Sequence, residues 1–303
     1  MTWTAEDMSS LEEKVAIVTG ANSGIGFEAT KELARKDCEV VMACRDREKA
    51  NEARNEVEKE LRDPDLRIIE LDLADLNSIN DFARRFKEKY DRLDFMVNNA
   101  GVMHLPFKRT EFGFEYQFGV NHLGHFYLNS RLIDMIEKTE DSRVVCVSSL
   151  LHRDAELDFE EMNNRESYDK KVAYGDSKMA NLMYAKELDQ RFKEKEVDSK
   201  AIAVHPGYSD TNLQARAAGG RIKTAGMKLM NKVAAQSAEK GALPTLYACT
   251  AELKGGEFIG PDGFKQMRGN PTKVQPDERA EDRELRQKLW EFSEDELGIS
   301  FGV

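Results

Sequence analysis

The chain has 303 residues, 40% of them apolar and 33% charged, and a net charge of −11. That length suits one large α/β domain or two small ones, with enough apolar residues for a sizeable core. The acidic balance argues against a general role on nucleic acid, which needs a basic surface.

Met1 to Lys14 are polar and acidic, and the longest apolar runs elsewhere are strand-length. A bilayer needs roughly 20 apolar residues, so neither a signal peptide nor a membrane span is expected. The first apolar run, Val15–Val18, leads through a glycine turn into an amphipathic stretch from Ile25 to Lys36. Glu39–Ala43 is a second strand candidate, followed by a charged helical stretch from Glu48 to Leu61. Arg67–Leu71 is the third, with a helix predicted over 76–90, and Asp94–Val97 the fourth. Arg143–Val147 and Lys200–Val204 are the fifth and sixth, separated by long helical stretches, and Glu257–Ile259 is a weak seventh. Leu285, Leu289 and Phe292 recur at helical spacing, so 277–297 is predicted to be a terminal helix resting one edge on the body.

Short strands of buried type alternating with helices predict βαβ units. The expected fold is therefore α/β, a doubly wound parallel sheet of Rossmann type with about seven strands. With no linker, repeat or low-complexity block, one domain over 1–303 is expected. Cys38, Cys44, Cys146 and Cys249 show no paired metal spacing, and the five histidines form no ligand cluster, so no metal is expected. Cys44 and Cys146 sit in apolar runs and read as core residues, which fits a reducing cytoplasm.

Chemistry enters at the strand ends. After the first strand come Gly20, Ala21, Asn22, Ser23, Gly24, Ile25 and Gly26, opening a helix. Glycines let the backbone turn sharply and approach a ligand, and the helix N-terminus behind them favours a pyrophosphate. The spacing is GxxxGxG rather than GxGxxG; a tight turn without a ligand is the alternative, and the position after the first strand weighs against it. Arg45 and Asp46 follow the second strand. An acid here would hold the ribose hydroxyls of NAD, whereas an arginine would pair with the extra phosphate of NADP. Asp46 is about 20 residues past the last glycine, the NAD spacing. Arg45, however, comes first after the strand, and Asp46 is expected to turn into the next helix as its cap. NADP is therefore favoured over NAD.

Tyr174 and Lys178 are four apart, on one face of a helix. A tyrosine titrates near 10, too high to trade protons easily, and a neighbouring ammonium lowers that value. By itself such a pair also fits an ordinary surface. Its weight comes from Ser148 and Ser149 after the fifth strand, Asn98, Asn99, Ala100 and Gly101 after the fourth, Asn121 early in a helix, and His205, Pro206 and Gly207 after the sixth, with Thr211 beyond. In open α/β sheets ligands bind outside the carboxyl ends of the strands, so these ends converge on one cleft.

On these residues the chain resembles the short-chain dehydrogenase/reductase superfamily over nearly its whole length. The matching motifs are Thr19–Gly26, Asp72 and Leu73, Asn98–Gly101, and the tetrad Asn121, Ser149, Tyr174 and Lys178. It is most similar to the retinol-dehydrogenase-like branch through Ala43–Asp46, Gly119–Phe126, His205–Gly207 and the long stretch from Ser149 to Tyr174. The resemblance implies that Tyr174 exchanges the proton, Lys178 lowers its pKa and holds the nicotinamide ribose, and Ser149 orients the carbonyl. It further implies that Asn121 holds a water linking Lys178 to solvent, that Asp72 and Leu73 border the adenine, and that Gly207 and Thr211 position the carboxamide.

The resulting expectation is a soluble NADP-dependent oxidoreductase for a small-molecule carbonyl or alcohol. The alternatives are an NADP(H) sensor without turnover and an interaction scaffold on the same fold. Met1–Lys14 lack the anchor of many animal retinoid enzymes, which argues against a retinoid. Segments 209–236 and 150–172 are expected to wall the substrate with polar residues such as Arg216, Arg221, Arg153, Asp154 and Glu156, with Met227, Leu229 and Met230 available as an apolar lid. His122 and His125 read as structural, and His152, close after Ser149, is the lesser candidate for a substrate contact. Helices near 121–137 and 172–194 pair subunits in many relatives, so a homodimer or tetramer is compatible.

Overall fold

Each apolar run pairs as a strand because its residues alternate between two buried faces. Val15 and Ile17 of β1 (Val15–Thr19) join one core, and Ala16 and Val18 join the other. The computed structural model describes residues 3–208 and 236–303. The remaining strands are β2 (Glu39–Cys44), β3 (Leu66–Glu70), β4 (Phe95–Asn98), β5 (Arg143–Val147), β6 (Lys200–Val204), β7 (Phe258–Pro261) and β8 (Pro271–Lys273). They form one sheet in the order β3-β2-β1-β4-β5-β6-β7-β8. All pairings are parallel except β7 with β8. The eighth strand exceeds the expected seven.

Two helical layers cover the sheet. On one face lie α1 (Gly24–Arg35), α2 (Arg47–Glu60) and α7 (Ala238–Thr250), which bury Leu33, Val57 and Leu246. On the other lie α3 (Leu76–Lys89), α5 (Gly124–Lys138), α6 (Lys170–Glu194) and α8 (Arg283–Leu297). The terminal helix docks as expected on Leu289, and its larger anchor is Trp290, which is stacked on Phe301 and edge-on to Phe126.

The chain order reverses between β1 and β4, where neighbouring connections leave for opposite faces and open a crevice at the carboxyl edge. A short helix α4 (Tyr116–Phe118) and a π-helical turn at Gly119–Leu123 lead into α5. Asn121 therefore sits in a widened turn rather than in a regular α-helix, and such turns recur at functional sites. All four cysteines are free and buried. Among the described residues no helix is long and apolar enough to cross a membrane.

Candidate active site

A cavity of about 1030 Å³ opens along the crevice and draws on six strand ends. The glycine turn supplies Gly20, Asn22, Ser23, Gly24, Ile25 and Gly26. Gly20 is left-handed at φ 66°, and a Cβ on Gly26 would stand 2.5 Å from the Gly20 carbonyl oxygen. The helix thus starts hard against the turn, a cradle only glycine permits. Ser23 is the N-cap of α1 and makes no side-chain capping bond, which leaves the first N–H groups of the helix facing the crevice. These features fit a dinucleotide pyrophosphate.

Asp46 turns into the next helix as the sequence indicated. Asp46 caps α2, accepting from Lys49 N at 3.1 Å and pairing with the Lys49 ammonium. Those bonds hold its carboxyl below the usual range. Arg45 lines the cavity and donates to the Tyr116 hydroxyl at 2.8 Å. Asp72 approaches Arg45 at 4.0 Å, and Asp72 and Leu73 form the adjoining wall.

Asn99, Ala100 and Gly101 line the middle of the cavity. Thr19 fixes them: its Oγ1 accepts from Asn99 N and Ala100 N, each at 2.9 Å, and its carbonyl accepts from Asn99 Nδ2 at 2.7 Å. The same hydroxyl meets His125 Nε2 at 2.9 Å, while His125 Nδ1 meets the Asn121 carbonyl at 2.9 Å. A carbonyl only accepts, so Nδ1 carries the proton and Nε2 accepts from Thr19. His125 is thus structural, and so is His122, which bonds Ser293.

The tetrad comes together at the inner end. Asn121 Oδ1 accepts from Val102 N at 2.8 Å, and its Nδ2 donates to Val102 O and Ser177 Oγ, each at 2.9 Å. Asn121 thereby clamps the loop after β4 to α6. Lys178 Nζ donates to Val147 O at 3.0 Å and lies 5.7 Å from the Tyr174 ring centroid. Ser148 donates to the Lys178 carbonyl at 2.7 Å and so ties the end of β5 to α6. Ser149 accepts from Leu151 N at 3.2 Å and lines the cavity with Tyr174.

Burial dominates the proton affinities in this cluster. It pushes Tyr174 up to about 12 against a lowering effect of Ser149, and brings Lys178 down to about 8. Removal from water is the largest influence on both groups, so neither value reports the pairing of Tyr174 with Lys178. Pro206 and Gly207 line the far side, whereas Thr211 and the expected lid residues lie outside the described residues.

Two expectations are corrected. His152 is fully buried, with Nδ1 on the Ser149 carbonyl at 2.6 Å and Nε2 accepting from Asp277 N, so it braces the chain behind Ser149 instead of facing substrate. The wall after Ser149 is apolar, because Leu150 and Leu151 face the cavity while Arg153, Asp154 and Glu156 face solvent. Tyr116 and His104, both lining the cavity, were not singled out from the sequence. For His104 the available signal was its position just beyond Gly101 at the end of β4.

A nucleotide-sized trough that ends at a buried tyrosine and serine is the arrangement of a dinucleotide-dependent oxidoreductase. The family model for short chain dehydrogenase matches residues 14–221. The chain belongs to the short-chain dehydrogenase/reductase superfamily, in its retinol-dehydrogenase-like branch. Retinol dehydrogenase 14 of Mus musculus is 36% identical over 312 residues, covering 97% of this chain and 88% of its own. Retinol dehydrogenase 13 of Homo sapiens is 37% identical over 298 residues, covering 96% and 86%. Among solved structures, an uncharacterized protein from Mycobacterium Paratuberculosis matches over 100% of both chains, with TM-score 0.82 and 35% identity. A short chain dehydrogenase from Shigella flexneri, complexed with NADP, shares the fold at TM-score 0.65 and 20% identity, over 83% of this chain and 98% of its own. The protein is thus a hydride-transfer oxidoreductase on a fold that binds a nicotinamide cofactor.

Proposed function

We propose that the protein is an NADP(H)-dependent carbonyl reductase or alcohol dehydrogenase for small to medium apolar substrates, working in the cytoplasm. The observation that carries this reading is that Ser149 and Tyr174 line the same cavity as the glycine turn. When bound, the reduced cofactor supplies the hydride for the carbonyl carbon. Tyr174, kept protonated by burial, donates its proton to the carbonyl oxygen, and the Ser149 hydroxyl holds that oxygen in place. In the oxidative direction the same phenol accepts the proton. Lys178, lining the same cavity, would hold the ribose and restore the tyrosine proton.

NADP is favoured because Arg45 stands free of Asp46, whose charge is taken up by the α2 cap and Lys49. The Val102, Leu150 and Leu151 walls favour an apolar substrate. Four unpaired cysteines support a reducing compartment. The test follows reduced-nicotinamide absorbance with NADPH and with NADH over aldehydes, ketones, quinones and all-trans-retinal. Turnover with NADPH is expected. Tight NADPH binding without turnover on any compound would favour a sensor.

A further inference from the structure

His104 lies between β4 and α4 and lines the cavity beside Tyr174, its ring edge-on to the tyrosine ring at 5.6 Å between centroids. Its backbone is left-handed at φ 52°. Non-glycine residues rarely adopt that conformation, and where they hold it beside a site the strain commonly serves the site. Val102, Met103, Leu150 and Leu151 give the same cavity an apolar lining. Among the described residues, the half-buried imidazole makes no hydrogen bond of its own. A polar group held in an apolar wall with its nitrogens unspent is the arrangement that selects for a polar feature on a ligand.

We propose that His104 is a substrate-binding residue of this site, hydrogen-bonding a second oxygen on the carbon next to the reacting carbonyl. The inference rests on the carbonyl-reductase reading and narrows it to vicinal dicarbonyls and α-hydroxy carbonyls. Burial first, and then Lys170 and Lys171, lower the proton affinity of His104, while Asp169 opposes them. The ring is therefore neutral at pH 7, with one nitrogen donating and the other accepting. It can meet either a carbonyl or a hydroxyl oxygen. Tyr174 and Ser149 then hold the oxygen that is reduced, and His104 fixes which carbon is presented.

The test measures NADPH oxidation by the full chain with 2-hexanone, 2,3-hexanedione and hexanal, in the wild type, His104→Leu and His104→Asn. Loss of one hydrogen bond in His104→Leu is expected to raise KM for the diketone about five- to tenfold. KM for 2-hexanone and hexanal and the Kd of NADPH should stay within about twofold, as groups that make no bond to the imidazole. Asparagine tolerates the left-handed backbone and still donates, so His104→Asn should hold the diketone KM within about threefold of the wild type. Equal losses on all three substrates, or no loss on the diketone, would overturn the inference. Wild-type turnover of hexanal without a lower KM for the diketone than for 2-hexanone would overturn it while leaving carbonyl reduction standing. A wild type that binds NADPH yet reduces none of the three would overturn both.

Discussion

Replacing Arg45 with alanine should weaken NADPH and spare NADH. The guanidinium is 61% exposed, held by the Tyr116 hydroxyl at 2.8 Å, with Asp72 at 4.0 Å as the group a phosphate must outcompete. At that separation two unit charges are worth about 1 kcal/mol in water and about 4 kcal/mol near a protein surface. Hydrogen bonds to charged groups contribute about 1.5–3 kcal/mol net, and exposure places this one in the lower half. A loss of about 1.5–2 kcal/mol corresponds to a rise in Kd of about 10- to 30-fold. Tyr116→Phe leaves the charge but frees the guanidinium, so a smaller rise of about three- to fivefold is expected, again for NADPH alone. Fluorescence titration with both cofactors reads these constants, and the selectivity should shrink in high salt. Equal weakening of NADPH and NADH in Arg45→Ala, or none, would refute the assignment of Arg45 to the extra phosphate.

Gly26→Ala should behave differently, because its Cβ meets the Gly20 carbonyl. Overpacking of about 1–3 kcal/mol is expected in a chemical melt, with Kd raised for NADPH and NADH alike. Trp290→Ala empties a site ringed by Phe126, Tyr184, Phe301 and the Arg191 guanidinium. It should cost about 3–5 kcal/mol of stability, with kcat per folded molecule unchanged. Burial depresses His122 and His205 to about 3 and His125 to about 4. Their unfolded forms bind protons from pH 6.5 downward while the folded ones do not, so stability is full above 6.5 and falls as pH drops toward 4. Each contributes a loss of roughly 2 kcal/mol at pH 5. Glu115 and Asp176, whose proton affinity burial raises, titrate in the opposite sense and reduce the sum. Equal unfolding free energies at pH 7.5 and 5.0 would contradict this balance.

The strands and the cofactor edge were legible because they depend on local pattern. β1 announces itself as an apolar run ending in a glycine turn, and Asp46 caps α2 as its place before a charged helix suggested. What the sequence hid depends on distant partners. Pro271–Lys273 has no apolar alternation, and only the pairing with β7 makes it a strand. The π turn that carries Asn121 is set by bonds to Val102 and Ser177 rather than by propensity. His152 looked substrate-facing by its nearness to Ser149, yet the helical turn at Leu150–Asp154 rotates it inward onto the Asp277 backbone. The proton affinity of Tyr174 could not be read from its spacing to Lys178, since burial of both is a property of the assembled fold.

The most direct measurement of the central claim is transfer of label from NADPH deuterated at the transferable C4 position to hexanal, in the wild type and in Tyr174→Phe, with cofactor binding measured alongside. The account predicts deuterium on C1 of the hexanol formed by the wild type. It also predicts that Tyr174→Phe, still binding NADPH, transfers label at least about a hundredfold more slowly, as for loss of a positioned general acid. NADPH bound without label transfer in the wild type, or undiminished transfer in Tyr174→Phe, would contradict it.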